Sequence, residues 1–267
     1  NFMHLKILRD IRKALLSELS SAPIIPSAQK PLGMGAAGDK TFPVDRIAEE
    51  IVISRFESSG LPFTVVSEEY GIRELNGGGN KVLIDPIYGS KNAISGLPFY
   101  CTSIAIAGGD TIGSIETGYV INLINGDEFL AIRDRGAFLN DEPLSAQKGD
   151  ELFILAYEAQ SPFRDIPLIL PLLSASRRTR CLGATALDLS YLAYGSISVF
   201  VTPAPSRSFD FGAGWLLVKE AGGIITDLLG NSLDGIRIGL EKSTPILASG
   251  NAALHRKALD ILSSTSA

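Results

Sequence analysis

Ile84-Asp85-Pro86-Ile87-Tyr88-Gly89-Ser90 reads as a buried strand that ends in an acid, turns tightly and enters a helix at Lys91-Asn92-Ala93-Ile94. An aspartate where a strand runs out can turn its carboxylate into a cleft and hold a hard cation. Gly89 and Ser90 open the helix, where backbone N–H groups lack intrahelical acceptors and favour a phosphate. A cation ligand beside an anion cradle suggests metal-assisted phosphate chemistry. The competing reading is an ordinary Asp-Pro turn that caps a helix.

Three other stretches decide between the two. Val65-Val66-Ser67-Glu68-Glu69-Tyr70-Gly71 is a short strand ending in paired acids. Thr41-Phe42-Pro43-Val44-Asp45 leads into a helix at Ile47. Ser208-Phe209-Asp210-Phe211-Gly212-Ala213-Gly214 leads into the helical run from Trp215 to Ala221, stopped by Gly222-Gly223. Glu68, Asp85 and Asp210 thus stand at the ends of elements, each beside small or turn residues. Magnesium wants oxygen ligands of this kind, one or two carboxylates completed by waters and substrate phosphate. Neighbours in an extended chain point to opposite faces, so only one of Glu68 and Glu69 should enter a site. Asp45 and Asp210 also have a plain reading as helix caps.

In order and spacing these motifs resemble the magnesium-dependent, lithium-sensitive phosphatases of the inositol monophosphatase superfamily. The nearer likeness is to the archaeal type that cleaves both inositol monophosphate and fructose 1,6-bisphosphate. The resemblance runs from Gly33 to Leu259. It implies an α/β fold, α+β followed by α/β, with alternating helix and sheet layers. Two subdomains are expected, 1–147 with most metal ligands and 148–267 contributing Asp210 and substrate contacts. It further implies Mg²⁺ held by Glu68, Asp85, the Ile87 carbonyl and Asp210, in two or three sites. Glu68 is the one of the acid pair that the family pattern places in the site; Glu69 then orients a neighbour or faces solvent. Asp45 and Ser90 are the implied pair that activates water. Substrate contacts are implied for Tyr88, Gly89, Ser90, Gly183, Ala184, Thr185, Arg207 and Asp210. The partners expected are a phosphorylated polyol or sugar and a second copy of the chain in a homodimer.

One departure stands out. The family reads Asp-Pro-Ile-Asp-Gly-Thr where this chain has Asp-Pro-Ile-Tyr-Gly-Ser. Tyr88 removes a charge and a hard donor, and a phenol with a pKa near ~10 is a poor magnesium ligand at neutral pH. The second metal site is therefore expected to be weakened. Two function classes follow: a metal-dependent sugar- or inositol-phosphate phosphatase, or a catalytically impaired relative that binds a phosphorylated metabolite or a protein. A nucleotidase for 3′-phosphoadenosine 5′-phosphate is a variant of the first.

Composition narrows the field. The chain has 267 residues, 45% apolar and 20% charged, enough for a large core. A net charge of −5 argues against a nucleic-acid groove. It does not exclude an anionic substrate, because bound cations reverse the local sign. Cys101 and Cys181 lie in apolar, strand-like stretches and read as packed, reduced thiols. Lys6, Arg9, Arg12 and Lys13 interrupt any signal-peptide core, and the apolar run 166–173 is short and broken by prolines. A soluble, cytoplasmic protein without membrane contact is expected. His4 and His255 lie near the termini, away from the motifs.

Periodicity supplies the frame. Leu5, Leu8, Ile11, Leu15 and Leu19 recur at helical spacing, and Pro23, Pro26 and Pro31 follow. Gly33 to Gly38 reads as a mobile loop, either a linker or a flap beside the site. A second helix is expected at 45–58, then strands at 63–67, 81–85, 101–107, 115–123 and 128–132, the last two joined by an Asn125-Gly126 turn. These suggest two helices on an antiparallel sheet. Beyond them, strands at 152–157, 197–201, 224–227 and 246–249 alternate with helices at 185–194, 211–221 and 252–262.

Overall fold

The structure is a computed structural model that describes residues 2–21 and 30–264. Pro23 and Pro26, read as the stop after the opening helix, lie outside the described residues. Helix α1 (Phe2–Ser21) buries Ile7, Leu8, Ile11 and Leu15 on one face. A small hairpin, β1 (Gly33–Met34) and β2 (Lys40–Thr41), leads into α2 (Pro43–Ser58). Pro43 suits a first helical position because it needs no donor there. Then come β3 (Phe63–Ser67), β4 (Gly71–Leu75), β5 (Asn80–Tyr88) and the short α3 (Ser90–Ser95). Strands β6 (Cys101–Ala107), β7 (Ile115–Asn122), β8 (Glu128–Ile132), β9 (Gly136–Leu139) and β10 (Glu142–Leu144) follow. The rest of the chain is β11 (Ile154–Tyr157), α4 (Pro162–Ala175), β12 (Arg178–Arg180), α5 (Thr185–Ala193), β13 (Val199–Arg207), α6 (Ser208–Glu220), β14 (Ile224–Thr226), β15 (Lys242–Ser249) and α7 (Ala252–Ser263).

Two sheets carry the fold. The larger has the order β10-β9-β8-β7-β6-β5-β3-β4, the smaller β12-β11-β13-β15-β14. Side chains alternate along each strand and sort the core into three parts. Val65, Val82, Ile84, Ile104 and Ile106 face α1 and α2. Val66, Leu83 and Ala105 face the opposite way and pack with Leu187, Leu189, Phe209 and Trp215 of α5 and α6. That same cluster takes in Ala156, Phe200 and Ala248 of the smaller sheet. Leu155, Val199, Val201 and Leu247 on the far face meet Ile169 and Leu172 of α4 and Leu254 and Ala258 of α7. The layers therefore run helix, sheet, helix, sheet, helix, as the resemblance implied. Among the described residues, no helix is long and apolar enough to cross a membrane.

Several expectations change. The large sheet is not wholly antiparallel, because β3 and β5 run parallel. The cause is β4, a hairpin partner to β3 that occupies the loop expected between them. Strand β5 does not stop at Asp85 but continues to Tyr88 through a register shift. The apolar run 166–173 lies within α4, a helix that contains Pro167 and Pro171. These prolines stand four apart, Pro167 on the exposed side and Pro171 partly so, where water can serve the carbonyls they leave unbonded. Cys101 is buried as expected, but Cys181 is exposed, since the chain has left the edge strand β12 before it. Both thiols are free. The loop read at 33–38 is partly strand and is held down at several points.

Candidate functional site

Two helix starts frame the site in the same way. In α2 the Phe42 backbone amide donates to Asp45 Oδ2 at 2.8 Å. In α6 the Arg207 backbone amide donates to Asp210 Oδ2 at 2.7 Å. Each aspartate occupies the third position of its helix, so one oxygen satisfies the N-terminal backbone and the other stays available. Asp45 Oδ1 is buried and has no hydrogen-bond partner. The capping reading of both residues is correct, and it leaves room for a second role.

Asp85 lies between them. By alternation along β5 it shares the face of Leu83, toward α6, and it is 3% exposed. Its Oδ1 has no partner, and neither does Ser103 Oγ on the paired position of β6. Asp85 and Glu68 are both pushed well above the usual carboxylate range. Burial is the main cause for each, and the charges of Asp210, Asp45 and Glu69 add to it. Burial likewise raises Asp45 to about 7. For Asp210 burial again leads, but the Arg207 amide and guanidinium and Lys242 pull back, leaving it at about 6. These four acids, gathered from four distant segments, thus feel one another's charge.

Glu69 also turns inward, against the alternation argument. Strand β3 ends at Ser67, so Glu68 and Glu69 sit in a turn where period two no longer holds. Glu69 is buried and accepts a hydrogen bond from the Thr41 hydroxyl.

A second group forms around the start of α3. Gly89 adopts φ +90°, and a Cβ there would meet Phe99 O, Ala184 Cβ and Gly183 O at 3.1–3.2 Å. Only glycine lets this turn press so closely on the 183–184 segment. Asn92 ties the same pieces together, its Nδ2 donating to Leu182 O at 2.7 Å and Phe99 O at 2.8 Å. Thr185 hydrogen-bonds the Tyr88 phenol. Burial first, then the charges of Asp210 and Glu158, still hold that phenol well above its usual range. Gly89, Gly183, Ala184, Thr185 and Tyr88 are therefore one unit. Ser90 begins α3 and is half-buried, but no Asp45–Ser90 hydrogen bond is formed: Asp45 Oδ1 is unpartnered and Oδ2 serves Phe42. The Ile87 side chain belongs to the α1–α2 core.

The Gly33–Thr41 hairpin covers the acids. Ala36 N donates to Glu69 O at 3.1 Å and Ala37 N to Glu68 O at 3.0 Å. From the other side Arg207 Nη1 meets Asp39 Oδ2 at 2.7 Å, and Nη2 donates to Ala37 O at 2.7 Å.

Among the described residues, no three of His, Cys, Asp and Glu stand ready to close around an ion. The chemistry of the donor set nevertheless fits a hard divalent cation. Asp85 Oδ1, Asp45 Oδ1 and Ser103 Oγ are unpartnered oxygens, and buried carboxylates that repel one another gain most from a cation.

The match extends beyond the site. Residues 20–264 fit the model of the inositol monophosphatase family. The chain belongs to that family. It is 33% identical over 268 residues to the fructose-1,6-bisphosphatase/inositol-1-monophosphatase of Methanothermobacter thermautotrophicus, covering 94% of each. It is 28% identical to the bifunctional NADP phosphatase/NAD kinase of Methanococcus maripaludis, over 97% of this chain but 48% of that one. In fold it is similar to the solved MJ0109 gene product, an inositol monophosphatase-fructose 1,6 bisphosphatase, with a TM-score of 0.83. There the identity is 24%, over 96% of this chain and 97% of that one.

Three acids of this inositol monophosphatase-family chain, Glu49 and Asp188 buried and Glu158 partly so, escaped the sequence reading. Glu49 is raised to about 7, chiefly by burial, and its Oε2 has no partner. It lies four residues after Asp45 on the same helix face, a spacing that could have revealed it. Asp188 on α5 is fully buried with both oxygens unpartnered and is held well above its usual range by burial and then Glu158. Glu158 is itself raised to about 7, mainly by burial. An acid in the apolar run Ala186-Leu187-Asp188-Leu189 was the available signal for Asp188; Glu158, just past a strand, gave none.

Proposed function

We propose that the chain is a metal-dependent phosphomonoester hydrolase acting on a small phosphorylated polyol or sugar. Inositol monophosphate and fructose 1,6-bisphosphate are the leading substrates. The observation that carries the reading is the buried convergence of Asp45, Glu68, Asp85 and Asp210, with orphaned oxygens on two of them.

In this reading Glu68, Asp85, the Ile87 carbonyl and Asp210 hold Mg²⁺. Bound there, the ion supplies acidification of water and neutralisation of phosphoryl charge. The chain does the rest. Asp45, at about 7, is poised to take a proton near neutral pH, with the Ser90 hydroxyl orienting the attacking water toward its free Oδ1. The amides of Gly89 and Ser90 hold the phosphoryl oxygens. Gly183, Ala184 and Thr185 contact the ring, and Arg207 meets a hydroxyl or a second phosphate through Nε, which is buried without a partner. Water attacks phosphorus directly and gives up its proton to Asp45, and the ester P–O bond breaks. The departing alcohol oxygen takes a proton back from Asp45 or solvent, and no phosphoenzyme forms.

Tyr88 shapes the limits. Burial pushes its phenol well above the usual range, so any phenolate replacing the missing carboxylate would have to be drawn out by the cation itself. A second cation would have only Asp85 and Asp210 as carboxylate donors from the chain. The same residue favours the second reading, an impaired relative that binds a phosphorylated metabolite.

The test is phosphate release from inositol 1-phosphate, fructose 1,6-bisphosphate, NADP and 3′-phosphoadenosine 5′-phosphate, with Mg²⁺ titrated, for wild type and Tyr88→Asp. Release that depends on Mg²⁺ is expected from both. Release from neither would leave the binding reading.

A further inference from the structure

The Gly33–Thr41 hairpin bridges two parts of the chain that are far apart in sequence. One edge is zipped to the Glu68–Glu69 backbone through the amides of Ala36 and Ala37. The other is gripped by the Arg207 guanidinium, through Asp39 and the Ala37 carbonyl. Space beneath the hairpin is minimal, since a Cβ on Gly35 would lie 2.6 Å from Glu69 Oε2 and 3.2 Å from Glu68 O. The grip is also linked to Asp210, because the amide that holds Asp210 Oδ2 is that of Arg207 itself. One residue thus uses its backbone to set an acid and its side chain to shut the cover. The Arg207 side chain is 10% exposed, whereas Asp39 is 55% exposed. Opening the hairpin would strand a buried guanidinium, so it costs more than loss of an ordinary surface pair. Asp85 and Asp210 are 3% and 8% exposed.

We infer that Asp39 and Arg207 form a clamp that makes closure of the hairpin and placement of Asp210 a single event, with Asp39 a positioning residue for the acid cluster. Asp39 holds Arg207, and its charge also bears directly on Glu68 and Asp210, so hydrogen exchange rather than the Mg²⁺ half-saturation is the reading specific to the clamp. The kinetic consequence rests on the phosphatase reading, but the clamp itself does not.

Asp39→Asn, Asp39→Glu and wild type are compared in two ways. Amide hydrogen exchange over residues 33–41 reads the clamp directly. Asp39→Asn raises it about tenfold at Ala36 and Ala37, the loss of one charge-assisted contact, and Asp39→Glu restores most of the protection. In phosphate release from fructose 1,6-bisphosphate, Asp39→Asn raises the Mg²⁺ half-saturation about tenfold while KM moves less than about threefold. Unchanged exchange in Asp39→Asn overturns the clamp. A fall in KM also overturns it, since Asp39 would then be occupying an anion position that substrate must take. If no protein releases phosphate, the exchange result alone decides the clamp and the phosphatase reading fails separately.

Discussion

The first turns of α2 and α6 are built alike and behave differently. Each places an aspartate third in its helix, and each aspartate accepts the backbone N–H three residues earlier, at 2.8 and 2.7 Å. Yet Asp45 is raised to about 7 and Asp210 to about 6. Backbone geometry does not account for the gap. Asp45 has only the acids Glu69 and Glu49 as its charged neighbours, whereas Asp210 has the Arg207 guanidinium and Lys242 set against Asp39. The same local frame therefore stands among acids at Asp45 and among mixed charges at Asp210, the contrast on which the proposed roles of proton acceptor and cation ligand rest. Surroundings brought by distant segments assign the roles, which is why a helix-start motif alone cannot.

Replacing each aspartate by asparagine separates the roles most sharply. Asp45→Asn is expected to lower kcat by about 10²–10⁴ with little change in Mg²⁺ half-saturation, because the proton acceptor is lost. Asp210→Asn should raise the Mg²⁺ half-saturation by more than about tenfold. Magnesium titrations of initial rate distinguish them, and identical profiles would dissolve the distinction. Tyr88→Asp comes next in size. It adds a carboxylate on the Asp210 side of the site and should lower the Mg²⁺ requirement several-fold while raising turnover. No change in either would remove residue 88 from the cation's surroundings.

Stability against pH carries a smaller effect. Asp45 and Glu49 hold protons in the fold up to about 7, while the unfolded chain releases them near 4. Between those values the folded state binds more protons, so metal-free stability falls as pH rises through that window. Melting temperatures in chelator should decline from about pH 4.5 to 7, and Mg²⁺ should flatten the slope. His255 opposes this trend more weakly. Burial lowers it to about 4, and its ring nitrogens lie 2.9 Å from Thr226 Oγ1 and 3.1 Å from Ser249 Oγ. Thr226 donates to Asp227 O, so the imidazole Nε2–H donates to Thr226 and Ser249 donates to Nδ1. The unfolded chain takes the proton first, so this contribution is present above about 6.5 and is lost as pH falls toward 4. In His255→Gln the metal-free fall in unfolding free energy between pH 5 and 7 should be steeper than in wild type, because the opposing contribution is gone, and an unaltered pH dependence would contradict the assignment.

Much of the layered fold was legible because apolar residues recur with period two in the strands and at helical spacing in α1 and α2. The motifs around Asp45, Glu68, Asp85 and Asp210 were legible because each sits beside a turn or helix start. Other features were hidden for identifiable reasons. Strand β4 carries exposed Ile72, Arg73 and Glu74, so it shows no buried stripe. Helix α4 was masked by prolines that its exposed side tolerates. Glu69, buried beside Thr41, fits the neighbour-orienting option rather than the solvent-facing one, and Cys181 was misjudged because a chain leaving an edge strand loses its neighbours. Glu158 needed tertiary contacts to become visible, whereas Asp188 was signalled by the apolar run around it. The hairpin's anchoring is tertiary too: nothing near Asp39 in sequence announces Arg207.

The account rests on buried acids that need a divalent cation. Calorimetric titration of the full chain with Mg²⁺, beside Asp85→Asn, addresses that claim most directly. Saturable binding by wild type, weakened at least about a hundredfold in the variant, is the predicted result. Equal binding by the two proteins, or no binding by wild type, would contradict it.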